Sequence, residues 1–138
     1  MQAFNIKAGA NPRVSQDNAA HPAWRDTVLF AMMANAWGTE NATTETIAAR
    51  CQQLVERLQP WRDVTPGAGS YLNEGDINEP DFQQAFYGAN YPRLYRLKQR
   101  YDPTGTFYAA TAVGSEDWYV TDQVPFYPTT NGRLCRKS

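Results

Sequence analysis

The sequence predicts an α+β fold: a small antiparallel sheet with helices packed on one face, plus a wrapping C-terminal tail. Three observations predict it. Residues 27–37, from Thr27 through Phe30, Met32 and Met33 to Trp37, are apolar on both parities and end at Gly38. Ile47, Cys51, Leu54, Val55 and Leu58 recur at i, i+4, i+7, i+8 and i+11, one stripe along a helix. A second helical stretch follows between Pro80 and the Asp102-Pro103 pair.

Taken in order, residues 1–20 are polar and turn-rich, with Gly9, Asn11 and Pro12, and read as an N-terminal arm, either extended or an irregular strand. Residues 22–25 lead into the 27–37 run. Its two-sided apolarity suits a strand covered on both faces; a short buried helix has the same periodicity. The next segment, 44–59, is a helix capped by Thr43 or Thr44, with Glu45 in its first turn and Pro60 as its stop. Residues 61–70 carry Pro66, Gly67 and Gly69 and form a loop, and a short strand is expected at 71–73. Pro80 opens a helix that reaches Tyr87 and stops at Gly88. The helix 91–101 ends where Pro103 disfavours helix at Asp102. Residues 106–113 read as a strand, and residues 114–138, with Trp118, Tyr119 and Phe126, as the tail. At 138 residues the chain fits a single domain, 1–138.

Composition narrows the function classes. Apolar residues make up 42% and charged residues 20%, too apolar a balance for a disordered chain. The 13 basic and 14 acidic side chains nearly cancel, and no Lys/Arg block forms a phosphate-binding patch, so nucleic acid is not an expected partner. No apolar run matches a signal peptide or a membrane span, which points to a cytoplasmic protein with no membrane partner. Eight Tyr, six Phe and four Trp serve either a core or the walls of a small-molecule pocket. One His and two distant Cys give no metal-ligand spacing, and no metal site is expected. Cys51 lies on the apolar stripe and reads as buried and inert; a Cys51–Cys135 pair is disfavoured in a reducing compartment.

The ordered motifs carry a resemblance. Tyr71-Leu72-Asn73-Glu74-Gly75-Asp76 is followed by Phe86-Tyr87-Gly88-Ala89-Asn90-Tyr91, Arg93-Leu94, Lys98, Tyr101-Asp102-Pro103, Phe107 and Gly132-Arg133-Leu134-Cys135, and is preceded by His21-Pro22-Ala23-Trp24-Arg25. Over residues 11–136 this resembles the C-terminal, substrate-domain portion of berberine-bridge-enzyme-like FAD-linked oxidases of the fungal type. The resemblance implies that Tyr71 and Asn73 lie beside the flavin ring. It also implies that Glu74 occupies the place where many plant members carry a catalytic tyrosine. Glu74 is then either an acid or base, if burial raises its pKa toward neutrality, or a hydrogen-bonded loop carboxylate.

The family holds FAD mainly through an N-terminal domain, and nothing in this sequence matches its pyrophosphate site. Gly67-Ala68-Gly69 lacks the strand–turn–helix setting of a phosphate loop. The expectation is therefore a free-standing, flavin-less protein without cofactor, catalysing a redox-neutral cyclisation or isomerisation of an apolar natural product. Tyr71, Asn73 and Glu74 would be its catalytic residues, with Trp24, Phe30, Met32, Trp37, Phe86 and Tyr91 as substrate walls. The initiating Met favours that reading. A homodimer is expected, to cover the face that a flavin domain would occupy. The alternatives are a portion of an FAD-dependent oxidoreductase completed by other polypeptide, and a non-catalytic small-molecule-binding protein.

Overall fold

In a computed structural model, the structure describes residues 1–5, 17–38, 42–127, 129 and 131–138. The rest of the expected N-terminal arm, 6–16, lies outside the described residues. The fold is α+β, built of small antiparallel strand pairs and helices. Strand β1 (Gln2–Asn5) pairs with β2 (Leu29–Met32) in the register Gln2↔Met32 to Asn5↔Leu29. Helices α1 (Thr44–Val64) and α2 (Tyr91–Tyr101) follow, and β3 (Trp118–Val120) pairs with β4 (Leu134–Arg136) near the C-terminus. The expected single sheet is thus two separate two-stranded ribbons among the described residues.

The core lies around α2. Phe86, Tyr87 and Tyr91 are its buried hydrophobic residues, with Phe82, Ala85, Leu94, Tyr95 and Val113 packed against them. Their rings meet edge-on or tilted, Phe86 to Tyr87 at 6.4 Å and Tyr87 to Tyr91 at 5.5 Å, the geometry that ring quadrupoles favour. The helix expected from Pro80 to Tyr87 is present as one α-like position at Phe82 and a π-helical stretch, Gln83–Tyr87. Gly88, at φ 55°, closes it. A Cβ at Gly88 would stand 2.7 Å from the His21 ring, so both backbone conformation and space require glycine there.

The tail wraps onto α2 through polar contacts. Tyr91 Oη lies 2.5 Å from both oxygens of Glu116, Gln83 Nε2 donates to Glu116 at 2.9 Å, and Gly114 N–H donates to Tyr91 Oη at 3.1 Å. One turn along, Tyr95 Oη and Gln99 Nε2 both donate to Asp117. These bonds tie the π-helical stretch, α2 and the 115–117 turn into one unit.

Several expectations are corrected. The 27–37 run forms a strand only at Leu29–Met32, and it is not covered on both faces: Val28 and Leu29 are 62% and 60% exposed. Residues 71–73 are not a strand. Leu72–Glu74 is a 3-10 turn, closed by Glu74 N to Tyr71 O at 3.0 Å and Gly75 N to Leu72 O at 3.2 Å.

Residues 106–113 form no strand either; α2 and its C-cap take up the backbone groups at the start of the segment. Asp102 accepts from the N–H groups of Thr106 and Phe107, and Lys98 donates to the Phe107 carbonyl at 2.6 Å.

Pro60 does not stop α1, which runs on to Val64. Proline there deletes one ladder bond and disturbs its turn. Arg62 offsets the loss: its guanidinium donates to the Val55 carbonyl at 3.1 Å and forms a two-pronged ion pair with Glu79, at 2.9 and 2.8 Å. Thr43 is the N-cap, accepting from Thr46 N–H at 3.3 Å. The stripe of α1 is less buried than expected: Ile47, Cys51, Leu54, Val55 and Leu58 are all half-buried.

Candidate aromatic site around Tyr71

The site is built on His21. Its ring is 4% exposed. Nδ1 accepts from Ala23 N–H at 3.0 Å, capping the Pro22–Arg25 turn, and the Nε2–H group donates to the Gln84 carbonyl at 2.8 Å. Both ring nitrogens are therefore engaged. His21 thus both packs and caps. Gly69 and Gly88 crowd the ring; a Cβ on either would come within 2.7 Å of Nε2.

The turn capped by His21 carries Trp24 toward β2 and the 71–74 turn. Its ring packs on Phe30 with centroids 5.5 Å apart, and meets Tyr71 edge-on at 5.9 Å. Asn73 Nδ2 donates to Tyr71 Oη at 2.7 Å. That bond occupies one acceptor position of the hydroxyl and leaves its proton free to be donated outward, a polarised arrangement in which each bond strengthens the next. Tyr71 is 40% exposed, so this group faces the open side of the chain. Beneath the turn, the Phe86 ring lies 2.5 Å from where a Cβ on Gly75 would stand, so Gly75 lets the turn rest on the core.

Between the Pro22–Arg25 turn, β2 and the 68–69 loop is an open cavity of about 70 Å³, lined by His21, Ala23, Trp24, Thr27, Leu29, Phe30, Ala68 and Gly69. Trp24 thus belongs both to this cavity and to the Tyr71 contact.

Of the residues expected to form a site, the structure brings together Trp24, Phe30, Tyr71 and Asn73, with Glu74 at the end of the same turn. Glu74 is exposed, without the burial that the acid or base reading of its carboxyl calls for. Met32 ends β2 half-buried, and Trp37, 43% exposed, lies beyond it. Phe86 and Tyr91 are not walls but core. Burial and the Glu116 hydrogen bond push the Tyr91 hydroxyl far above the ordinary phenol range, as suits a structural donor. Cys51 is free and half-buried, its thiol pushed up by that burial and then by the charge of Asp76. Sequence reasoning did not single out Thr27, Ala68 or Gly69 as cavity residues; only their place around the His21 cap reveals them.

Residues 70–114, which hold the 71–74 turn, the core and α2, match the family described as berberine and berberine like. That segment carries the family's domain. It is 43% identical over 122 residues to the FAD-linked oxidoreductase patO of Aspergillus clavatus, covering 86% of this chain and 19% of that protein. It is 44% identical over 121 residues to the bifunctional decalin synthase calF of Penicillium decumbens, covering 86% and 20%. It superposes on the crystal structure of the VAO-type flavoprotein MtVAO615 of Myceliophthora thermophila with a TM-score of 0.78 and 39% identity, covering 98% of this chain and 23% of that one. The chain thus spans about a fifth of the length of the curated relatives it matches.

The described residues meet part of what a flavin requires. Tyr71 with its Asn73 bond offers the aromatic edge and hydrogen-bonding groups that suit the rim of a flavin ring. The pyrophosphate has no cradle among them. Gly67 and Gly69 precede a three-residue turn rather than a helix, and Gly69 is closed off by His21 and the Ala85 carbonyl. These residues do not by themselves fit the whole cofactor. No helix among the described residues is long and apolar enough to cross a membrane.

Proposed function

We propose that the chain forms the substrate-side portion of a VAO-type FAD-linked oxidoreductase whose flavin is held by polypeptide outside these residues. The observation that carries this reading is the uncovered surface. Val28, Leu29 and Trp37, of and beside β2, are 62%, 60% and 43% exposed, apolar side chains that a covering polypeptide would take out of water. Tyr71, held by Asn73, lies on the open side and would orient and polarise a substrate oxygen, while Trp24 and Phe30 hold its apolar part. Met32 and Trp37 extend the same apolar surface.

Purification of the native protein by this sequence tests the reading. A yellow product absorbing at about 450 nm, from flavin either in a longer polypeptide or in a copurifying subunit, is expected. A colourless protein of 15.6 kDa would overturn it.

A second reading is a free-standing, flavin-less enzyme that performs a redox-neutral, pericyclase-like cyclisation or isomerisation of an apolar molecule. The relative named as a bifunctional decalin synthase, 44% identical, favours it. In that case the open face would be covered by a second copy, and the protein would be a cytoplasmic homodimer with no cofactor. Light scattering at twice the chain mass, from a colourless and active preparation, is its expected signature.

A further inference from the structure

We propose that the cavity between the Pro22–Arg25 turn, β2 and the 68–69 loop is a binding seat for one small uncharged group, of the size of an isopropyl. Its floor is a fixed surface. The His21 ring is held at both nitrogens, by Ala23 N–H and the Gln84 carbonyl, and Gly69 and Gly88 press against it. The walls are the tilted rings of Trp24 and Phe30.

The chemistry of the lining sets the class of ligand. No Asp, Glu, Lys or Arg lines the cavity, and its two polar side chains are already engaged: His21 as above, and Thr27 through its hydroxyl, which donates to the Ala23 carbonyl at 2.6 Å. A charged group entering here would shed water and meet no opposite charge. An uncharged group would replace water against a lining that is about half carbon and aromatic surface and half neutral polar atoms. Volume sets the size. A cavity of about 150 Å³ admits benzene, so the seat, at about 70 Å³, takes about half as many heavy atoms.

Its place in the site gives the seat a role. Trp24 walls the cavity and also meets the Tyr71 ring, whose hydroxyl carries the Asn73 bond. A molecule anchored here by a short branched alkyl end lies one ring away from the polarising pair. The seat would then select substrates by the bulk of that end. This role deepens the substrate reading above and rests on it; occupancy of the seat does not.

The test uses the full protein with 2-propanol as the uncharged probe and isopropylammonium as its charged counterpart. Binding is followed by NMR at the Trp24 indole N–H, assigned by its loss in Trp24→Phe. A saturable shift with 2-propanol is expected, half-complete at on the order of 10 mM, as befits so few atoms. Isopropylammonium should bind at least about tenfold more weakly. Ala68→Leu, on an exposed loop residue of the lining, should weaken 2-propanol binding by a similar factor; Ala68→Val serves where Leu disturbs the loop. The proposal is overturned by an unsaturable response or by binding indifferent to the filled cavity. Equal or tighter binding of the ammonium would also overturn it, because the rings would then form a cation box. A yellow protein without this binding refutes the seat and leaves the oxidoreductase reading standing. A colourless protein with it does the reverse.

Discussion

The half of the chain around α2 and the half around β2 and α1 are built on opposite principles. Around α2, Phe86, Tyr87 and Tyr91 are buried, and the tyrosine hydroxyls there are bonded: Tyr91 to Glu116 and Gly114, Tyr87 to the Thr111 carbonyl at 3.1 Å, and the half-buried Tyr95 to Asp117. Around β2 and α1 the side chains are more apolar, yet Val28 and Leu29 stand in solvent and the α1 stripe is half-covered. A two-stranded ribbon and an amphipathic helix of this kind do not hold themselves. The first half is a finished core, and it coincides with the family match at 70–114. On the reading proposed above, the second would be one side of a larger interface. Composition alone inverts the two, since the apolar run at 27–37 looks more like core than the tyrosines do.

The largest effect should come from the finished half. Phe86→Ala removes a ring that is 4% exposed and supports Gly75 and the 71–74 turn. It is expected to cost about 3–5 kcal/mol in chemical denaturation. A loss under about 1 kcal/mol would mean that the α2 region is not the stable unit.

Next in size is an effect at the open face. In the oxidoreductase proposed above, Tyr71→Phe would remove the outward hydroxyl while keeping the Trp24 contact. Turnover should fall by about 10²–10³-fold with folding unchanged. Asn73→Ala should fall part of the way, having lost only the bond that polarises that hydroxyl. If Tyr71→Phe, Asn73→Ala and Glu74→Gln all keep wild-type turnover, the reacting centre is elsewhere.

The Tyr91–Glu116 clamp should contribute a smaller amount. Tyr91→Phe leaves the Glu116 carboxylate without its shortest donor and is expected to cost about 1.5–3 kcal/mol. It also has a pH signature. The folded-state pKa of Tyr91 is raised above its unfolded value of 10.0. Its contribution is thus fully present below pH 10 and lost as pH rises through the folded value. Stability in alkali should therefore fall from about pH 10 upward, more steeply in the wild type than in Tyr91→Phe. Parallel alkaline slopes in the two proteins would remove Tyr91 as the source.

The same contrast explains what could be read from the residues alone. The end of helix 91–101 was legible, because Asp102-Pro103 is a local signal. The α1 stop was not, because Arg62 reaches Glu79, 17 residues away, and steadies a helix past Pro60. The 106–113 strand failed for a related reason: Lys98 and Asp102 satisfy the backbone groups at its start from the side. At the site, Tyr71 and Asn73 were marked by the family resemblance; Trp24 meets Tyr71, and Phe30 packs on Trp24. Phe86 and Tyr91 were assigned to pocket walls because aromatic content does not distinguish a wall from a core. Only the closure of Tyr91 onto Glu116 shows which one it is.

The smallest expected effect is the one that sharpens the comparison most. Leu54 lies mid-stripe on α1, where sequence periodicity alone would assign it a core cost of about 2–5 kcal/mol on truncation. In the chain by itself the residue is half-buried, and α1 carries no fully buried side chain. Leu54→Ala should then cost only about 1 kcal/mol or less, the transfer of a partly wet side chain with no closed cavity left behind. In the assembled protein the same substitution should move up into the core range, because the covering surface turns the half-wet stripe into a packed one. The two measurements are made side by side, by denaturation of the chain alone and of the intact protein. A cost in the core range already present in the chain alone would show that α1 has its own partner within these residues. A cost that stays near 1 kcal/mol in both would show that this stripe is not what the rest of the protein covers, and β2 would be left as the docking face.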